Sequence, residues 1–273
     1  MPRILLAGCG KIGTQLGLLM AQRGHQPVGL RRSRVAMPFI CIQGDLSQPL
    51  ADGLIREPID YVVYTATPSE YSDAGYQSAY PAGVQHLLDA LSGHAVKRFF
   101  FVSSTAVYHQ NDGSWVDEDS ATVPSRYNGV RVLEAETLLK RSAVPSTSIR
   151  FGGIYGAGRS RLLDKIRKGA DAQASPPKYT NRIHQHDCVG VLAFLIECVE
   201  SGKILDECYL GVDNNPVDEW TLYQWLAEKF KAPAPNPVAA GPDATQNKRC
   251  SNQRLTSLGY SFSFPDYRSG YAQ

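Results

Sequence analysis

Short apolar runs and longer stretches of helical spacing alternate along most of this chain. Ile4–Ala7 is a brief apolar run, and from Lys11 to Arg23 the apolar residues recur at helical spacing, with Gly24 placed to end the helix. The segment HQPVGL (25–30) predicts a second strand, and the runs at 39–46, 59–67, 96–104 and 146–156 predict further buried strands. Between them, residues 71–93 keep helical spacing through Tyr76, Tyr80, Val84, Leu87, Leu88 and Leu91. Pro81 interrupts that stretch and predicts a kink or a later helix start. Leu138 and Leu139 fall on a helix after Tyr127, and Asp187 is a candidate N-cap for a late helix. The Pro- and Ala-rich segment 231–244 predicts an extended connection. Strands alternating with helices in this way predict an α/β fold built on a doubly wound parallel sheet.

The glycines after the first strand carry the first chemical signal. Gly8, Cys9, Gly10, Lys11, Ile12 and Gly13 form GxGxxG inside a strand–helix–strand unit. There Gly8 makes the tight turn, Gly10 lets backbone approach a pyrophosphate, and Gly13 lets helix pack on strand. The helix N-terminus then faces the anion. This context predicts a Rossmann-like NAD(P)-binding domain over residues 1–150, with 151–273 supplying the remaining sheet segments and a small C-terminal substrate lobe. A glycine-rich turn without a ligand is the competing reading.

The end of the second strand reports which dinucleotide is expected. An NAD-preferring site places Asp or Glu there for the ribose 2′-hydroxyl, but no acidic residue lies between Gly13 and Gly44. The strand runs instead into Arg31 and Arg32, whose guanidinium groups match a 2′-phosphate in charge and shape. NADP(H) is therefore expected over NAD(H), against the alternative of a solvated basic loop. Asp45 and Leu46 are expected on the adenine side, and Thr65, Ala66 and Thr67 against the cofactor. These positions fall at carboxyl ends of predicted strands, where such sheets bind ligands.

Composition narrows the class. Of 273 residues, 43% are hydrophobic and 20% charged, with a formal charge of only +2, so neither nucleic acid nor a membrane is the expected partner. No apolar run suits a membrane helix, and the N-terminus lacks the pattern of a secretory signal. Six scattered cysteines without a CxxC pair argue for reduced thiols in a cytoplasmic protein. His184 and His186 could begin a metal site on a strand, but no third ligand is evident, and no metal is expected.

The segments FVSSTAVYH (101–109) and RYNGVR (126–131) resemble those of the extended and atypical short-chain dehydrogenase/reductases, the NAD-dependent epimerase/dehydratase family. The stretches 149–159, 181–192, 206–217 and 247–271 are similar to further family segments, so the resemblance covers nearly the whole chain. It implies an enzyme in which a Ser or Thr orients the substrate, a Tyr exchanges a proton, and a Lys tunes the Tyr and holds the nicotinamide ribose. Carried over by motif, the resemblance implies Ser104, Tyr127 and, where Lys is expected, Arg131 as catalytic. Tyr127 and Arg131, with Phe151 and Gly152, are also expected at the cofactor.

Three departures bear on function. The glycine motif is GxGxxG rather than the GxxGxxG usual in extended members. Thr105 and Ala106 stand where dehydratases of the family carry an acidic pair, which argues against a dehydratase. Arg131 keeps the positive charge but is bulkier than lysine. It leaves three readings open: an altered working site, a binding site without catalysis, and a structural helix. A different helix start would also displace Tyr127, and Ser104 could be a small strand-end residue only. The expected function is an NADP(H)-dependent oxidoreductase or epimerase with a small-molecule substrate, carbohydrate-like or a nucleotide-sugar. The alternative is a non-catalytic NADP(H)-binding redox sensor that regulates a protein partner. The resemblance also raises a homodimer.

Overall fold

The computed structural model describes residues 1–241 and 246–272. The glycine-flanked N-terminal pattern folds as expected, with β1 (Arg3–Ala7), α1 (Lys11–Gln22) and β2 (Gln26–Arg31). Gly24 takes φ of +86° just past α1, a conformation that a Cβ penalises. The chain continues through β3 (Cys41–Gln43), β4 (Tyr61–Tyr64), α2 (Asp73–Gln77), α3 (Gly83–Ala90) and β5 (Arg98–Ser104). It is completed by α4 (Tyr127–Arg141), β6 (Ser146–Phe151), α5 (Gln185–Glu200) and β7 (Cys208–Gly211).

These strands form one seven-stranded parallel sheet in the order β7-β6-β5-β4-β1-β2-β3. β1 pairs with β2 on one side and β4 on the other, so the strand order reverses there. A reversal of this kind opens a crevice beyond the carboxyl ends of the strands. The central strands β1, β4 and β5 are buried on both faces, as strands of parallel sheets are: Leu5, Leu6, Val62, Val63, Phe99 and Phe100 have no exposed surface. The predicted 71–93 helix is broken at Pro81, where a π-helical turn over Ser78–Ala82 separates α2 from α3. The runs at 39–46 and 59–67 shrink to three and four strand residues, because only those pair with a neighbour.

The chain divides into two compact units. The first holds residues 1–107, 123–150 and 188–209, and the second holds 108–122, 151–187 and 210–273. In the second unit Gly153–Tyr155 pairs in parallel with Arg182–His184, and Asp171–Ser175 with Asn236–Ala239. Part of the expected connection 231–244 is therefore strand, while its residues 242–244 lie outside the described residues. Tyr155, Ile166, Leu222, Leu226 and Tyr267 form this unit's core.

Two expectations for residues 184–187 are corrected. His184 ends a strand whereas His186 lies in α5, so the two do not share a strand face. Asp187 sits inside the first turn of α5, not at its cap, because that helix begins at Gln185. Its carboxylate instead takes the Ser263 and Phe264 N–H groups at 2.8 and 2.9 Å and the Tyr260 hydroxyl at 3.0 Å. It clips the C-terminal segment in place. No group of three metal-ligating side chains occurs among the described residues.

Asp213, in the second unit, is 2% exposed. Burial pushes its carboxyl up to about 8, against the opposing pull of the Asn215 N–H and the Arg182 charge. From about pH 4 to pH 8 the folded chain thus keeps a proton that the unfolded chain has released, so stability falls as pH rises through that window. Asp213→Asn is expected to stabilise the protein at pH 8 by on the order of 2 kcal/mol and to change little at pH 4. Thermal unfolding at the two pH values checks this; a gain at pH 4 as large as that at pH 8 would contradict it.

Candidate dinucleotide site

The groove beyond the strand ends of the first unit has a volume of about 330 Å³. Gly8, Cys9 and Gly10 form its floor, with Arg31, Arg32 and Ser33 at the end of β2. Asp45 and Leu46 line it after β3, and Ala66 and Thr67 after β4. Gly75, Ser78 and Ala79 of α2 and the following turn add a wall that the sequence did not suggest, because they lie in a segment read only for its apolar spacing.

The three glycines do different physical work. Gly8 has φ of +77°, and a Cβ there would strike the Ala66 backbone. A Cβ on Gly10 would meet nothing nearer than the Gly8 carbonyl at 3.8 Å, so this residue keeps the groove floor low. A Cβ on Gly13 would come within 3.2 Å of Thr65 Oγ1 and 3.4 Å of Cys9 Sγ, which is the close helix–strand packing expected of it. Thr65 supports the turn from beneath, donating its hydroxyl to the Gly8 carbonyl at 3.1 Å. Lys11, Ile12 and Gly13 begin α1 without being part of the groove lining.

The electrostatics suit an anion. α1 has no acidic residue in its first turn and no side-chain cap at Gly10, so the positive end of the helix dipole faces an anion without a competing carboxylate. Burial would raise the Asp45 carboxyl, but the Ser47 N–H and hydroxyl, at 3.0 and 2.8 Å, and the Arg32 charge outweigh it and hold it below the usual carboxylate range. Among the described residues, the guanidinium groups lining the groove are Arg31 and Arg32, at the end of β2. These features fit a dinucleotide: an open glycine floor, a helix N-terminus without an acidic first turn, and a basic end for ribose or its 2′-phosphate.

The residues expected to be catalytic stand elsewhere in the first unit. Ser104 ends β5, and its Oγ accepts from Ala106 N–H at 3.1 Å, capping the next turn. Tyr127 and Arg131 lie in the first turns of α4, after the N-cap Arg126. The buried face of α4 is Gly129, Val132, Ala135, Glu136 and Leu139. At about 100° per residue, Tyr127 and Arg131 point roughly 180° and 140° away from Glu136. Both therefore turn toward α2. Tyr127 is 41% exposed, donates its hydroxyl to the Tyr71 carbonyl at 2.7 Å, and meets the Tyr76 ring edge-on at 5.4 Å. Arg131 binds Asp73 through Nε at 2.7 Å and Nη2 at 2.9 Å, and Glu134 through Nη1 at 3.0 Å. These bonds strengthen the guanidinium's hold on its proton and lower the Asp73 carboxyl. Neither Tyr127, Arg131 nor Ser104 lines the groove. Phe151 and Gly152 belong to the second unit, where a Cβ on Gly152 would crowd the Asn181 carbonyl.

A buried polar triad with no signature in the sequence fixes the turn of α4. Glu136 takes the Ser103 hydroxyl at 2.5 Å and Arg150 through Nε at 3.0 Å and Nη2 at 2.7 Å. Ser103, Glu136 and Arg150 are 5%, 9% and 7% exposed, and they tie α4 to β5 and β6. Only the burial of a charged helix residue beside a charged strand residue marks this link, and burial is not visible in sequence.

The sequence matches the model of the NAD dependent epimerase/dehydratase family over residues 4–196. A Methylobacillus flagellatus protein described as an NAD-dependent epimerase/dehydratase has the same fold, with a TM-score of 0.85 and 35% identity over 99% of this chain and 96% of that one. Protein YeeZ of Escherichia coli strain K12 is 25% identical over 97% of each chain. MoeE5, solved in complex with UDP-glucuronic acid and NAD, shares the fold at a TM-score of 0.78 and 21% identity, over 100% of this chain and 97% of its own.

Proposed function

The chain belongs to the NAD dependent epimerase/dehydratase family, and from that premise we propose that it is an NADP(H)-dependent oxidoreductase or epimerase acting on a carbohydrate-like substrate, with nucleotide-sugars the first class to try. The observation that carries the cofactor assignment is the basic end of the groove: Arg31 ends β2 and Arg32 follows it, where a carboxylate for the 2′-hydroxyl would otherwise stand. MoeE5 supports the substrate class, since it is a protein of this fold that holds a nucleotide-sugar.

In this reading the glycine turn and the α1 N-terminus hold the pyrophosphate, and Arg31 and Arg32 hold the 2′-phosphate. NADP(H), when bound, supplies or accepts the hydride. Tyr127 gives or takes the proton at Oη, Arg131 holds the nicotinamide ribose and supplies positive charge beside the phenol, and Ser104 orients the substrate. For this the Tyr127 hydroxyl must exchange its Tyr71 carbonyl for substrate, and Arg131 must leave Asp73. That same engagement favours a second reading, a non-catalytic NADP(H) sensor for a protein partner, in which α4 stays as it is.

A thermal-shift matrix separates the readings. NADP⁺, NADPH, NAD⁺ and NADH form one axis, and nucleotide-sugars, sugar phosphates and acyl-CoAs the other. A ligand at a hundredfold excess over its Kd stabilises by about 2.7 kcal/mol, an easily read shift. The expected result is a larger shift with NADPH than with NADH, plus a panel compound that adds stability only when cofactor is present. A shift by NADP(H) alone, unequal between its two redox forms, favours the sensor. No shift with any dinucleotide contradicts both.

A further inference from the structure

We propose that Asp73 is a positioning residue that competes with the bound cofactor for Arg131. This rests on the reading that the groove takes NADP(H) and that Arg131 holds its nicotinamide ribose. Asp73 takes Arg131 side-on, through Nε at 2.7 Å and Nη2 at 2.9 Å, a bidentate geometry in which a guanidinium and a carboxylate match well. Both carboxylate oxygens of Glu134 accept from Arg131 Nη1 at 3.0 Å. One cation is thereby shared by two carboxylates, so its positive field is cancelled locally and it is not available to a neighbouring phenol or ribose.

The carboxylate is well placed for this. Asp73 is the first residue of α2, and that end is fixed by Ser72, whose Oγ accepts from Gly75 N–H at 3.1 Å. The same short segment faces two ways. Gly75, Ser78 and Ala79 line the groove, while the Tyr71 carbonyl, Asp73 and the Tyr76 ring engage Tyr127 and Arg131. Arg131 thus stands across α2 from the groove with its charge already spent on Asp73. Cofactor that draws Arg131 away must first break this pair, which weakens binding of any ligand that carries the nicotinamide ribose and of no other.

The test is a binding cycle read by calorimetry at low ionic strength, with two ligands. NADPH carries the nicotinamide ribose; adenosine 2′,5′-bisphosphate carries the adenosine and 2′-phosphate but not that ribose. Asp73→Asn is expected to tighten NADPH about threefold, the scale of one exposed ion pair, and to leave the bisphosphate unchanged. Combining it with Arg131→Gln is expected to remove the gain. Asp73→Ser, which keeps a short polar group at the helix start, is run beside it in case the asparagine variant folds poorly. Unchanged or weaker NADPH binding in both variants overturns the proposal. So does an equal shift for both ligands, which would mean that α2 merely distorts the groove, or a gain that survives Arg131→Gln. If the unaltered protein binds neither ligand, the cofactor reading itself falls, and this proposal falls with it.

Discussion

Glu136→Leu is expected to lower stability by about 3–5 kcal/mol, with a fall in Tm on the order of 10 °C. The reason is not the loss of an attractive pair as such. Arg150 is 7% exposed, and its Nε and Nη2 both rest on the Glu136 carboxylate. Removing the carboxylate leaves a guanidinium in the interior without its counter-charge, and Ser103 loses its acceptor as well. Replacing both charged partners at once removes that penalty. Glu136→Leu combined with Arg150→Met is therefore expected to lose less than Glu136→Leu alone. Calorimetric melts of the two single variants and the double variant decide it. A double variant that loses the sum of the single losses would show that the two side chains act independently and that the triad does not set the turn of α4.

Arg31→Ala with Arg32→Ala is expected to weaken NADPH binding on the order of 100-fold while changing NADH by no more than about threefold. Each guanidinium bond to a phosphate is charge-assisted and worth roughly 1.5–3 kcal/mol before solvent screening. Both arginines line the same groove as the glycine turn. The 2′-hydroxyl of NADH gives them no dianion to hold, which is why the effect separates the two cofactors. Paired titrations at fixed salt measure the affinity ratio, since screening reduces such contacts. An unchanged ratio would mean that the two side chains are a solvated basic turn and nothing more.

How far this protein can be read from sequence differs from element to element. Ile4–Ala7, the glycines and the helix after them lie within a few residues of one another, so β1, the turn and α1 appear in the structure where their pattern puts them. The same holds for the groove ends at Asp45 and Ala66, each two residues past the end of its strand, β3 or β4. The break at Pro81 was visible because proline removes a backbone donor wherever it occurs. Segment 231–244 is different. Its proline-rich composition reads as a connection, yet Asn236–Ala239 is a strand because Asp171–Ser175 offers it a free edge to pair with. Asp187 likewise has the composition of a cap and the position of a clip, because its partners are 73 to 77 residues away.

The candidate catalytic pair marks the boundary most clearly. Sequence alone determines the alternation of elements, the glycine turn, the absence of an acid after β2, and that Tyr127 and Arg131, four residues apart, share one side of a helix. Those properties depend on local spacing and covalent geometry. Which way that side faces was decided only by the tertiary structure. Gly129, Val132, Ala135 and Leu139 had to be buried, and Glu136 had to meet Arg150 and Ser103, 14 and 33 residues away. Those contacts rotate α4 until Tyr127 and Arg131 meet α2, where Asp73, 58 residues from Arg131, holds the guanidinium. Helical periodicity specifies relative angles along one helix. The absolute angle is a property of what the helix packs against.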